Sequence, residues 1–200
     1  MQQRVKRLMT EKDRVGSKIC QLREAQNMSV SDLAERSHAS IQLIEQLESG
    51  KVVLSLSPLL KIARALGVRL GTFLDDAPQQ GAVVVRAGQS EEVVRFSHKS
   101  HASPFASLDF HSLGANKQDR HMEPFIVDMH PATEEDRKLS THEGEEFIYV
   151  LAGDVELFYG KETHQIGAGD SIYYDSIVPH NLHAAGDGEA KILAVVYAPF

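Results

Sequence analysis

Apolar positions in the first third of the chain recur every three or four residues, and beyond residue 81 they recur every two. The first spacing predicts helices and the second predicts strands. Val15, Ile19 and Leu22 line one face of a first helix. Ser29 followed by Asp32 is a capping-box start for a short helix that turns Leu33 and Ala34 inward, and Ser40 is a good N-cap for another carrying Ile41, Ile44 and Leu47. Only a few residues separate the two, the arrangement in which a second helix enters the DNA major groove. Ser57-Pro58 opens a fourth helix that Gly67 ends, and VRLGTFL supplies a fifth anchored by Phe73 and Leu74.

DDAPQQG, residues 75–81, combines charge, proline and glycine and reads as a linker. Beyond it, period-2 segments predict strands over 82–86, 93–97, 106–111, 124–129, 145–151, 154–159, 163–166, 170–174, 180–184 and 192–197. Many short strands between Gly, Asp and Pro turns mean a sandwich or barrel. The expected fold is therefore α + β in two domains: a basic arm (1–14), a five-helix domain (15–74), the linker, and an all-β domain (82–200). The charged loop PATEEDRKLS, residues 131–140, would sit at the mouth or edge of the β domain, as a lid or as an ordinary solvated loop.

Charge sharpens this division. Residues 1–74 carry 12 Lys+Arg against 7 Asp+Glu, or +5, whereas residues 75–200 carry 9 against 21, or −12. A basic head on an acidic body suggests that only the head meets a polyanion, with the arm either solvated or lying along phosphates. The single cysteine, Cys20, excludes an internal disulfide framework and reads as packing. No apolar run reaches the length of a membrane span or of a signal-peptide core, so the expectation is a cytoplasmic protein with no membrane partner.

The candidate chemistry lies between Leu139 and Ala184. Glu146, Ile148 and Val150 share one strand face, and His142 joins it if the chain stays extended through Gly144. Val178-Pro179-His180 opens a later strand that could return beside the first, bringing two imidazoles and a carboxylate to one wall. Among the ten histidines, His98, His101, His111, His121, His130 and His164 lack a spacing partner and read as surface or locally hydrogen-bonded, and His183 falls on the opposite face from His180. Phe110, Phe125, Tyr149 and Tyr174 read mostly as core, with Tyr174 the one edging a pocket.

The string His142-x-x-x-Glu146, then Gly153, Gly169-Asp170 and Pro179-His180, resembles the two sequence boxes of the cupin family. That resemblance implies a jelly-roll barrel with His142, Glu146 and His180 as metal ligands. Ser140 stands where cupins usually carry a first histidine and falls, with Tyr174, in the ligand pocket. Three such ligands leave positions open on iron and also suit zinc, manganese or nickel; the alternative is a metal-free polar cluster in a barrel that binds an organic ligand.

Residues 15–74 resemble the phage-repressor, or XRE-type, helix-turn-helix family through Leu33-Ala34-Glu35, Ile44 to Lys51 and Leu59 to Val68. His38 occupies the turn where that family usually has glycine, a position histidine tolerates at positive φ. Base reading would rest on Gln42 and Gln46, with Ser29, Ser40 and Lys51 on phosphates. The whole chain is similar to helix-turn-helix–cupin transcriptional regulators, which implies a homodimer on double-stranded DNA answering to a small-molecule or metal effector. It also resembles the hydroxypropylphosphonate epoxidase family of mononuclear iron oxygenases. The substrate lysine and active-site tyrosine of that family fall here on Asn27 and Phe110, and the regulator is the favoured reading.

Overall fold

The computed structural model describes residues 11–51, 56–75, 81–90, 92–96, 108–117, 120–131 and 139–199. Five helices come first: α1 (Glu11–Ala25), α2 (Val30–Ser37), α3 (Ile41–Glu48), α4 (Leu56–Ala65) and α5 (Leu70–Leu74). The first ten residues of the expected arm, and residues 76–80 of the expected linker, lie outside the described residues. Among those described, no helix is long and apolar enough to cross a membrane.

The helix boundaries follow from side-chain chemistry. Ser29 Oγ accepts from the Asp32 amide while the Asp32 carboxylate accepts from the Ser29 amide, a complete capping box at the start of α2. His38 ends that helix at φ 53°, and Ser40 Oγ accepts from the Leu43 amide to begin α3. Ile19, Leu33, Ile44, Leu59, Ile62 and Phe73 are buried at the centre of the helical head. Each contributes about 1.5–3 kcal/mol by leaving water. Gly16 lets α1 run against α3, since a Cβ there would stand 2.2 Å from the Leu47 carbonyl oxygen. Beside this contact Arg23 of α1 forms a two-pronged ion pair with Glu48 of α3, at 2.7 and 2.8 Å.

Among the described residues nine strands follow: β1 (Glu92–Phe96), β2 (Leu108–Ser112), β3 (Met122–Met129), β4 (Glu145–Ala152), β5 (Asp154–Tyr159), β6 (Glu162–Gly167), β7 (Ser171–Asp175), β8 (His180–Ala184) and β9 (Ala190–Tyr197). They form a six-stranded sheet in the order β1-β2-β3-β9-β4-β7 and a three-stranded sheet in the order β6-β5-β8, every pairing antiparallel. The two are separate hydrogen-bonded sheets, where a barrel was expected. Alternation holds: Phe125 and Val127, Ile148 and Val150, and Ile192, Ala194 and Val196 are buried on one face of the large sheet, and Val155, Leu157 and Ala184 are buried on the small one. Phe110 and Phe125 meet edge to face, 5.4 Å between ring centres.

Two expectations change. Residues 82–86 are not a strand, and Val84 is 67% exposed; a run of valines with no buried face has nothing to pair with. Tyr149 belongs to the outward face of β4 rather than to the core.

Head and β domain meet through a buried charge cluster. The Arg120 guanidinium bonds both Asp75, just past α5, and Glu123 of β3, the latter at 2.7 Å. Glu123 also accepts from the Gly71 amide of α5 at 3.1 Å, and Asp75 accepts from the Asn116 amide at 3.1 Å. A Cβ on Gly71 would fall within 3 Å of the Arg120 guanidinium, so glycine is what admits the arginine. Arg69 donates to the Arg120 carbonyl at 3.0 Å, and at one side of the seam Arg64 of α4 is ion-paired with Glu143.

Candidate functional site

The three residues singled out from the spacing come together. The ligand-capable atoms of His142, Glu146 and His180 all lie within 4.8 Å of one another, and all three side chains are buried. Glu146 is carried by the inward face of β4 and His180 opens β8 in the opposing sheet. His142 precedes β4 and is tied to the end of β7 by its amide, which donates to the Ser176 carbonyl at 3.0 Å. Gly144 makes the approach possible: it sits at φ 108°, and a Cβ there would be 1.9 Å from the Tyr197 carbonyl oxygen.

The hydrogen bonds set the protonation. Nδ1 of His142 lies 3.1 Å from the Glu143 carbonyl, and Nδ1 of His180 lies 2.8 Å from the Val178 carbonyl. A carbonyl only accepts, so both Nδ1 atoms carry hydrogen, and in the neutral rings both Nε2 lone pairs point inward. They converge on Glu146 Oε1 at 2.8 and 3.4 Å. Three acceptors facing one point need a cation between them, either protons or a metal ion. Carbonyl-held imidazoles of this kind are the usual outer support of a metal-binding histidine. The donor set of two imidazoles and one carboxylate therefore fits a divalent transition metal.

Glu146 has further partners. Tyr174 donates to its Oε2 at 2.8 Å, and Ser176 donates to its Oε1 at 3.1 Å. Burial opposes its ionisation, but hydrogen bonds from His142 and His180 outweigh burial and hold the carboxyl well below the usual carboxylate range. For His180 burial likewise disfavours charge, yet the bond to Glu146 raises the imidazole above its ordinary value. Tyr174, pushed up by burial and then by the Glu146 charge, stays a neutral donor. Its ring lies 5.1 Å from that of His180 and 5.5 Å from that of Tyr159, so aromatic surface walls the cluster.

Ser140 is adjacent but turned aside. It forms a two-way backbone bridge with His180, and its Oγ donates to the His180 carbonyl at 3.3 Å. Ser176 was not legible as a site residue; a serine after a tyrosine pair in a turn carries no signal. His183 sits on the other face of β8, 3.2 Å from Glu156, with its ring tilted 45° to that of Phe158 at 5.0 Å between centres. His111 pairs with Asp128, His130 with Asp109 and Glu189, and His164 with Glu162, while His98 and His101 lie outside the described residues.

In the head, Gln42 and Glu45 are exposed on α3 and Gln46 is half-buried beside them. Glu48, the remaining acid of α3, is neutralised by Arg23 and does not add to the charge of that face. The Ser29 amide donates to Asp32, so a carboxylate already occupies the place an incoming phosphate would take there. Ser40 caps α3, and the amide of exposed Lys51 donates to the Gln46 carbonyl at 2.8 Å.

Comparison with known proteins divides the chain in the same way. A helix-turn-helix family model matches residues 21–73 and a cupin-domain model matches residues 125–196. The HTH-type transcriptional regulator PuuR of Escherichia coli (strain K12) is 23% identical over 181 residues, which cover 90% of this chain and 92% of that protein. The (S)-2-hydroxypropylphosphonic acid epoxidase of Streptomyces wedmorensis is 25% identical over 150 residues, covering 71% of this chain and 74% of that enzyme. The crystal structure of an HTH_3 family transcriptional regulator from Vibrio cholerae superposes with a TM-score of 0.66 at 19% identity, over 96% of this chain and 100% of that one, a likeness of fold.

Proposed function

We propose that this chain, a member of the helix-turn-helix–cupin transcriptional regulators, binds double-stranded DNA through α2 and α3 as a homodimer, and that its cupin domain senses a metal or a small molecule bound there. We read the two sheets as the halves of a jelly roll, with the β domain at 82–200 and a head ending at 74; α1 begins at Glu11, so the head takes in the last four residues of the expected arm rather than starting at 15. Gln42 and Gln46 would face base edges, with Ser29, Ser40 and Lys51 toward phosphates.

The observation that carries the sensing half is the convergence of three acceptors on one point, His142 Nε2, His180 Nε2 and Glu146 Oε1. His142, Glu146 and His180 would hold iron, zinc, manganese or nickel, which would supply a Lewis-acidic anchor for an anionic effector. Tyr174 and Ser176 orient the carboxylate through their hydroxyls, and Tyr159 and Tyr174 offer the effector an apolar wall. Occupancy of the site reaches the head along a short route: His142 Nδ1 bonds the Glu143 carbonyl, and the Glu143 side chain pairs with Arg64 on α4. The available coupling is typically ~1–3 kcal/mol.

An oxygenase reading has one observation in its favour, the same metal-ligand set beside the 25% identity to an epoxidase. Against it, Asn27 lies in an exposed turn of the head and Phe110 is buried against Phe125, and neither offers an anionic substrate a cationic or hydroxyl partner. Gel retardation with the DNA upstream of the protein's own gene tests the choice. Retardation by the wild type, weakened by about 1–3 kcal/mol per glutamine in Gln42→Ala plus Gln46→Ala, supports the regulator. Iron-dependent oxygen consumption with a phosphonate, and no retardation at low salt, would reverse it. Metal analysis after purification without chelator tests the centre: stoichiometric metal that disappears in His180→Ala is the expected result.

A further inference from the structure

Glu146 and Tyr174 are partners across β4 and β7, and the Tyr174 hydroxyl donates to Glu146 Oε2 at 2.8 Å. Packing asks only for the ring, which stands 5.1 Å from that of His180 and 5.5 Å from that of Tyr159. Phenylalanine would fill that space. Tyrosine carries an oxygen into a place only 5% exposed, which is costly unless the oxygen is bonded, and its bond goes to the carboxylate. The two oxygens of Glu146 are thereby divided. Oε1 faces the imidazoles, 2.8 Å from Nε2 of His142 and 3.4 Å from Nε2 of His180, and fully buried Ser176 donates to it at 3.1 Å. A carboxylate oxygen accepts at about two places, so Ser176 takes one on Oε1 and leaves the other for a cation.

We propose that Tyr174 is a positioning residue that restricts Glu146 to one-oxygen binding of the metal, so that the centre keeps room for a small anion attached through two adjacent oxygens. The inference rests on the metal-sensing reading of the site. For Glu146 to bind with both oxygens, Oε2 would have to turn toward the imidazoles and leave Tyr174. The tyrosine hydroxyl would then be buried without an acceptor, and a hydrogen bond to a charged group would be lost with it. Three protein atoms therefore face the ion rather than four. The difference decides what else fits. On an ion that takes four or five donors, as zinc does, three protein atoms leave up to two positions and admit a chelating ligand, whereas four would leave one. The rings of Tyr159 and Tyr174 then bound the space on one side, so the ligand this wall suits is compact, with a flat or apolar body behind its two oxygens.

The test uses the full chain loaded with Co2+, whose visible absorption weakens as donors are added. Wild type and Tyr174→Phe are titrated with acetohydroxamate, which offers two oxygens, and with azide, which offers one donor. The wild type should bind acetohydroxamate. The variant should absorb more weakly before any ligand is added and bind acetohydroxamate about ten-fold less tightly, the size of one hydrogen bond to a charged group. Azide affinity should stay within about three-fold of wild type. Tyr159→Phe removes a hydroxyl of the same wall that is bonded to the Asp175 carbonyl instead, and should behave as wild type. X-ray absorption of the unmutated protein keeps the result independent of whether Tyr174→Phe folds: the short cobalt-to-carbon distance of a two-oxygen carboxylate should be absent. Its presence, a cobalt-loaded wild type that ignores acetohydroxamate, or a Tyr174→Phe protein with wild-type absorption and acetohydroxamate affinity would each overturn the proposal. A wild type that takes up no cobalt removes the metal centre and this role with it, whereas failure of the role alone leaves the centre standing.

Discussion

Arg64, on the fourth helix of the head, is ion-paired with Glu143, the residue next to site histidine His142. Both side chains are about half exposed, so the pair adds little to stability, at most about 1 kcal/mol. Its interest is positional. The residue whose carbonyl fixes the His142 tautomer also touches the helix against which α2 packs. Glu143→Ala is therefore expected to leave metal content and melting temperature near wild type, and to reduce several-fold the difference in DNA affinity between metal-loaded and metal-free protein. Retardation titrations with and without chelator measure this directly; an undiminished difference would remove Glu143 from the route.

The pH response of the metal-free protein follows from the two shifted groups. His180 titrates above its ordinary value in the folded chain, so its contribution is fully present below about pH 6.5 and is lost as pH rises through the folded value. Glu146 titrates below its ordinary value, so its contribution is present above about pH 4.3 and is lost as pH falls further. Thermal melts of chelated protein should therefore show a plateau between about pH 4.5 and 6.5. Glu146→Gln should flatten it. Metal affinity should move the opposite way, rising above pH 6.5 as His180 loses its proton.

Gly144→Ala offers a test of how the site is assembled. The added methyl would meet the Tyr197 carbonyl at 1.9 Å, and φ 108° is a conformation alanine avoids. A loss of about 1–3 kcal/mol is expected from overpacking, together with reduced metal occupancy because His142 is displaced from Glu146. Melting temperature and metal content of the purified variant decide it. Full occupancy at wild-type stability would mean that the chain can reroute here.

Arg120→Ala should be the more damaging change. It leaves the Asp75 and Glu123 carboxylates buried without their shared cation, which costs about 3–5 kcal/mol. Calorimetry is the informative readout: the wild type should unfold head and β domain together, and the variant should separate them into two transitions. A single unchanged transition would show that the seam is held elsewhere.

How far the sequence foretold these relationships depended on whether a local period carried them. Ser29 and Asp32, Ser40 and the inward set Leu33, Ile44 and Leu47 follow from helical spacing and end chemistry, and the structure has them as expected. The grouping of His142, Glu146 and His180 was legible from their spacing and the proline-marked turn, but the route was not: His142 precedes β4, and Gly144 at φ 108° interrupts the extended run expected to carry it onto the strand face. Asp75, Arg120 and Glu123 were not; charges 45 residues apart read as solvated surface until the fold brings them together. Tyr149 failed differently. When both faces of a strand are apolar, alternation no longer says which one turns inward, and β4 and β9 are strands of that kind.

The Arg120 cluster also bears on how such a chain can be recombined. Gly71 belongs to the head and Asp75 opens the linker, yet the Gly71 amide and the Asp75 carboxylate make their bonds with the β domain. A foreign head spliced in at the linker would need both a small residue and a carboxylate at those places, or it would leave an arginine and a glutamate stranded at the joint. Head and β domain are then interchangeable among relatives only as matched pairs, and a chimera that ignores the match should fail at assembly before it can fail at recognition.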